Sequence, residues 1–350
     1  MFLRHSTVFG CSLVLLGFLA SQAHSAEPLQ TVLHLDNRVE LPEYTGDFDH
    51  FAVDVKGKRL FLAAEDHGTL EVFDLISGKH LKTINGVEIP HGILYLEDSN
   101  RLVVTDSGAG HTKIFDASTY QLIGSIQLKP GADSMGYDTN AKNMYIVTGG
   151  KNGNLANSFL AKVNPHTGKQ VGELKFDTDK VEAMAIEETG KHLYINVTGM
   201  NHVAVVDKEN LSVVKTWPIA EGKMNAAMAF DEVSERLFVV TRKPYQLLIL
   251  NTKTGATVAS FAAPERTNEA IFDKQNRRIY LAGDDFIGVY QQDDADHYHE
   301  LARVPSAHGA KTAIFVPQLS RFYAAVSPGD GNTGAAVLNY NVEPLIKEMK

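Results

Sequence analysis

Seven short polar clusters recur along this 350-residue chain, each placed just before a stretch of apolar residues. They are Asp49-His50, His91-Gly92, Asp133-Ser134, Glu182, Asn225-Ala226, Asn268-Glu269 and Lys311-Thr312. Four carboxylates (Asp49, Asp133, Glu182 and Glu269), two imidazoles and one ammonium stand among them. Such a mixture can hold a hard cation through oxygens, or zinc through histidine plus carboxylate. It can equally bind a polar small molecule or a peptide. The plain alternative is that these side chains cap loops and hold water. The candidate ligand-binding set is therefore Asp49, His50, His91, Asp133, Glu182, Asn225, Asn268, Glu269 and Lys311. No cofactor is required by it, and a divalent metal is compatible with it.

Other patterns carry less. His297 and His299 stand two apart behind Asp293, Asp294 and Asp296, which reads as a solvated acidic turn. Asp330-Gly331-Asn332 lacks the acidic ladder and closing glutamate of a helix–loop–helix calcium site. Ser107-Gly108-Ala109-Gly110 has no following helix to cradle a phosphate. No Gly-x-Ser-x-Gly elbow and no Cys-x-x-Cys-His haem motif is present. Trp217 is the single tryptophan, which argues against a quinone-dependent propeller dehydrogenase with its repeated tryptophans. Asn196-Val197-Thr198 is a sequon of use only in a glycosylating host.

The clusters are positioned by a repeat. A short apolar stretch ending in an acid, a polar turn and an apolar pair opening a β-branched run recur from FAVDVKGKRLFLAA at Phe51 to AIFVPQLSRFYAAV at Ala313. The apolar pairs begin at Leu60, Leu102, Met144, Leu193, Leu237, Ile279 and Phe322, spaced by 42, 42, 49, 44, 42 and 43 residues. A third strand follows each pair (Leu70–Asp74 in the first repeat), then a turn and a fourth strand such as Leu81–Ile84. This order predicts an all-β, seven-bladed β-propeller with four-stranded antiparallel blades. The last repeat ends after its third strand, while Thr31–Leu35 is a strand without a repeat. It is expected to close the ring as the outer strand of the last blade. Loops between second and third strands, such as Asp106–His111, Gly149–Asn157 and Ser327–Gly334, are long and glycine-rich. They share a face with the polar clusters, so binding is assigned there. Tyr245 and Phe286, placed in these loops, are the aromatics a docking face would use.

Residues 1–25 read as a secretory signal, with Arg4 and His5 before the apolar run Val8–Leu19 and small residues beyond it. The domain is then 26–350, and a periplasmic or secreted location is expected. Cys11 leaves with the signal, excluding thiol catalysis, disulfides and zinc–cysteine sites. The formal net charge is −9, which disfavours general nucleic-acid binding. A monomer without stable membrane insertion is expected.

The runs Tyr145-Ile146-Val147-Thr148, Phe238-Val239-Val240-Thr241 and Tyr194-Ile195-Asn196-Val197, with Asp49–Asp54 before Arg59-Leu60-Phe61 and the stretch Gly288–Pro317, resemble the YVTN β-propeller repeat family, the YncE-like proteins. The strict tetrapeptide itself does not occur. The resemblance implies an exported propeller with no shared catalytic motif. The function expected is binding of a small molecule, peptide or envelope protein at the channel mouth. Two alternatives stand beside it. One is a metal-assisted hydrolase or lactonase, by analogy with regucalcin and gluconolactonase propellers, using Asp49, His50, His91, Glu182 and Glu269. The other is an envelope scaffold.

Overall fold

A computed structural model describes residue 1 and residues 32–108, 110–328 and 334–344. The expected signal and Asp330-Gly331-Asn332 fall outside the described residues. Among the described residues twenty-eight strands form seven four-stranded antiparallel sheets. In blade one the order from the centre outward is Phe51–Asp54, Arg59–Ala64, Thr69–Asp74 and His80–Ile84. The innermost strands of blades two to seven are Pro90–Leu96, Met135–Asp138, Met184–Ile186, Lys223–Asp231, Glu269–Asp273 and Thr312–Val316. Among the described residues no helix is long and apolar enough to cross a membrane.

The ring closes as expected. Leu33–Glu40 lies outside Ala336–Val342, with Leu33 opposite Val342 and Glu40 opposite Ala336. The closing strand runs on to Glu40, past the predicted end at Leu35. A bulge between Leu35 and Asn37 interrupts the pairing without ending the strand. Closure joins the two ends of the chain in one sheet and removes an exposed edge.

The second strands are buried along nearly their whole length, because sheets pack on both of their faces. This explains why they read as continuous apolar runs rather than alternating ones. Leu60, Leu62 and Phe73 of blade one pack with Tyr323 and Val337 of blade seven. Phe61 and Val72, on the opposite side, pack with Leu102 and Val104 of blade two. Phe322 sits between Tyr280 of blade six and Tyr340, with ring centroids 5.4 and 6.4 Å away. Trp217 stands on the outer strand of blade four, stacked on Tyr194 at 5.6 Å.

The acid ending each apolar stretch has a structural use. Asp138 Oδ1 accepts the N–H groups of Asn140 and Ala141, and Asp273 Oδ1 those of Gln275 and Asn276. The corners between third and fourth strands repeat the device at Asp74, Asp116, Asn164, Asp207 and Asn251. Each side chain accepts backbone N–H groups two and three residues on, which closes the turn locally.

Candidate functional site

Each innermost strand is reached through a bulge in which two residues face one. In blade one the Asp49 N–H donates to Ala63 O at 2.9 Å, while the Ala63 N–H donates to His50 O at 3.1 Å. Asp133 and Ser134 face Val147 in the same way, and Glu182 and Ala183 face Asn196. The extra residue interrupts the side-to-side alternation of a strand, so consecutive side chains both reach the channel. The first bulge residues of the seven blades are Asp49, His91, Asp133, Glu182, Ala226, Asn268 and Lys311. All seven line one basin of about 190 Å³. A second cavity of about 190 Å³ shares His50, Ser134 and Ala183 with it and includes Glu269. There Phe51, Ile93, Met135, Met184 and Met228 supply an apolar wall. The mouth is charged, and the channel beyond it turns apolar.

Eight of the nine sequence-selected residues thus lie at the mouth or just inside it. Asn225 does not. It pairs with Thr241 before the bulge, so Ala226 takes the mouth position in blade five. Asn225 is fully buried, donating through Nδ2 to Asn196 Oδ1 at 2.7 Å and to His202 O at 3.1 Å. A polar residue at the mouth in every blade was therefore one blade too many. Tyr245 and Phe286 begin third strands rather than standing in loops. His297 lies in the turn and His299 in the fourth strand, bonded separately to Asp294 and Asp293 at 2.8 Å each. They do not converge on one site.

Three side chains that line the basin, Glu65, Asn152 and Arg242, were not selected from sequence, nor was Ser107, which holds His91. Glu65, Ser107 and Asn152 stand in the loops after second strands, and Arg242 sits near the end of one. The face assignment pointed to those loops, but single polar residues within them carry no repeat signature. Gly131 shapes the approach to Asp133: its φ is +78°, and a Cβ there would sit 2.2 Å from the Gly153 amide nitrogen.

The charges are wired into one another. His91 Nδ1 lies 2.8 Å from Asp49 Oδ2, and its Nε2 lies 2.9 Å from Ser107 Oγ. Asn268 Nδ2 donates to Asp49 Oδ1 at 3.3 Å, and Arg242 Nη2 donates to Asn268 Oδ1 at 3.0 Å. His50 Nδ1 meets Glu269 Oε2 at 2.9 Å, and Asn152 Nδ2 donates to Asp133 Oδ2 at 2.8 Å. Lys311 Nζ reaches Asp47 at 2.5 Å, and Lys180 Nζ lies 3.3 Å from Glu182 Oε1. The chain from Arg242 through Asn268, Asp49 and His91 to Ser107 ties blades five, six, one and two together.

Titration follows from this wiring. Burial works against a charged His50, but Asp49 and Glu269 outweigh it and push the imidazole up to about 10. His91 rises to about 9 against the same burial, held by Asp49 and Asp133. Asp49 stays below the usual carboxylate range: burial opposes this, and His50, His91 and Lys311 prevail. Glu65 is pushed up to about 7 by burial and by the Asp49 charge. Burial also raises Asp133, against the pull of His91.

Fold and site together define a seven-bladed β-propeller with a charged basin at one channel mouth. No family model matches the sequence, and no curated protein matches it. Solved structures do. A chain of the structure described as "Crystal Structure of Mitotic Checkpoint Complex" superposes with a TM-score of 0.72 at 13% identity, covering 96% of this chain and 99% of that one. A chain of the Kuenenia stuttgartiensis hydrazine synthase gives a TM-score of 0.71 at 15% identity, covering 86% and 98%. At such identities the likeness shows the fold alone.

Proposed function

We propose that this chain is an exported binding protein, of the YVTN or YncE-like kind, that takes a small cationic solute into the basin. Export is supported by the leader-like residues 1–25, and the family by the repeat runs quoted above. One observation carries the binding reading: the wall's cations are engaged by partners in the wall, whereas its acids are not all engaged by donors. Among the described residues the Glu65 carboxylate accepts no hydrogen bond, its nearest imidazole nitrogen being 3.9 Å away. Asp133 keeps Oδ1 free of any contact closer than 3.8 Å, while its Oδ2 is held by Asn152. Glu182 has only the Lys180 contact at 3.3 Å. Half-buried acids short of positive partners favour a cation in their midst. The basin is smaller than the roughly 300–1,000 Å³ of drug-sized sites, so the solute is small. A protein-docking role has less support, because Phe286 lies under Arg303 at 5.5 Å instead of forming an open aromatic face.

Isothermal titration with ethanolamine and putrescine tests this, since an ammonium offers three donors to carboxylates. Wild type should bind at least one of them, and Asp133→Asn with Glu182→Gln should weaken binding about tenfold or more, the loss of a charge-assisted bond. Undiminished binding by the double variant overturns the reading, and so does a wild type that binds neither an amine nor a divalent ion. The hydrolase reading has one observation of its own, the His50–Glu269 pair at 2.9 Å: an imidazole raised to about 10 is protonated at neutral pH and has the form of a general acid held by its orienting carboxylate. Ester and lactone turnover lost on His50→Gln would support it, and the absence of turnover by wild type would end it.

A further inference from the structure

We infer that His91, Asp49, Glu65 and Asp133 form a site for one divalent transition-metal ion, zinc or manganese, on one wall of the basin. The inference rests on the reading of the basin as a cation site and names the cation. His91 Nδ1 faces three carboxylate oxygens: Asp49 Oδ2 at 2.8 Å, Asp133 Oδ1 at 3.8 Å and Glu65 Oε1 at 3.9 Å. Donor atoms sharing an ion at about 2.0–2.2 Å stand roughly 3–4 Å apart. The Glu65 and Asp133 oxygens stand at that distance from Nδ1, and Asp49, hydrogen-bonded to it, stands closer. One donor atom from each of Asp49, Glu65 and His91 lies within 4.8 Å of the other two. Asp133 approaches the same nitrogen from blade three.

The outer contacts set this group apart from an ordinary acidic patch. His91 Nε2 is held by Ser107 Oγ at 2.9 Å, which leaves Nδ1 as the inward-facing nitrogen. Asp49 turns Oδ2 to that nitrogen while Oδ1 accepts from Asn268. Asp133 turns Oδ1 to it while Oδ2 accepts from Asn152. His91, Asp49 and Asp133 therefore each have their other polar atom held by a neutral side chain, with His50 Nε2 also 3.5 Å from Asp49 Oδ1, while the Glu65 carboxylate is left unheld. Outer contacts of this kind orient metal ligands. His91 and Asp49 are 4% and 7% exposed, and Glu65 is only part-buried, so the site opens toward solvent on the Glu65 side. On binding, the ion takes the Nδ1 lone pair, and the proton shared with Asp49 leaves to solvent. An imidazole among carboxylates suits zinc or manganese, whereas calcium prefers six to eight oxygens.

The test is equilibrium dialysis of chelator-stripped protein against ZnCl₂, MnCl₂ and CaCl₂ separately, with metal content measured by mass spectrometry. One zinc or manganese per chain is expected, with calcium much weaker. His91→Gln should abolish retention. Glu65→Gln, at a loop position, should weaken it at least tenfold, and Ser107→Ala about 10–100-fold through the imidazole's orientation. Circular dichroism melts identify any variant that fails to fold, and the folded variants decide. No bound metal, unchanged affinity in both Glu65→Gln and Ser107→Ala, or calcium as the tightest ion overturns the assignment. Ethanolamine or putrescine bound without any metal affinity defeats this inference alone. Loss of both defeats the basin reading as well.

Discussion

Asn225 and Ala226 show how finely the site depends on register. They are neighbours in sequence, yet Ala226 lines the basin and Asn225 is sealed between blades. Replacing Asn225 with Ala leaves the Asn196 amide oxygen without its buried donor. The expected loss is about 1–3 kcal/mol, the cost of an unmet buried polar group, with ligand affinity unchanged. Urea unfolding together with titration of the basin ligand checks both halves. A variant of full stability and lost affinity would place Asn225 in the site after all.

At the scale of strands and turns, the repeated acceptors make a pH prediction. N–H donors of Ser77 hold Asp74 below the usual carboxylate range, those of Thr119 do so for Asp116, and those of Asn210 for Asp207. A carboxylate with a depressed folded pKa binds its proton more readily when unfolded. Its contribution is present above the ordinary value of 3.8 and lost as pH falls through the folded one. Asn164 and Asn251 make the same turns without a charge. Asp74→Asn, Asp116→Asn and Asp207→Asn combined should therefore keep the fold and flatten the acid side of the stability curve. Urea midpoints followed from neutral pH downward give the answer, and an unchanged acid slope would contradict it.

The same elements explain what could be read in advance. Seven anchor pairs at near-constant spacing, each followed by turn residues, made the blades legible, because every blade solves the same burial problem with the same order of elements. The closing strand was legible from a repeat that runs out. Asn225 was misplaced because the bulge consumes one residue, and apolar patterning does not say which one. Glu65, Ser107, Asn152 and Arg242 were missed for a different reason. Glu65, Ser107 and Asn152 come from loops that differ between blades and Arg242 from a strand end, so no repeated pattern marks them although their partners lie in the same or the next blade.

For the whole molecule, closing seven sheets into a ring brings bulge residues from positions 49 to 311 into one basin. In that basin Glu65 and Asp133 are raised, chiefly by burial. Beyond the mouth, Met135, Met184 and Met228 line a second cavity together with His50 and Glu269. The central claim is that this mouth holds a cation. The most direct test is a crystal structure of protein purified without chelators and soaked in ZnCl₂, with diffraction collected on both sides of the zinc absorption edge. The account predicts one anomalous peak among His91 Nδ1, Asp49, Glu65 and Asp133, about 2.0–2.2 Å from its ligand atoms. A basin containing only ordered water, with zinc seated elsewhere on the surface, would contradict it.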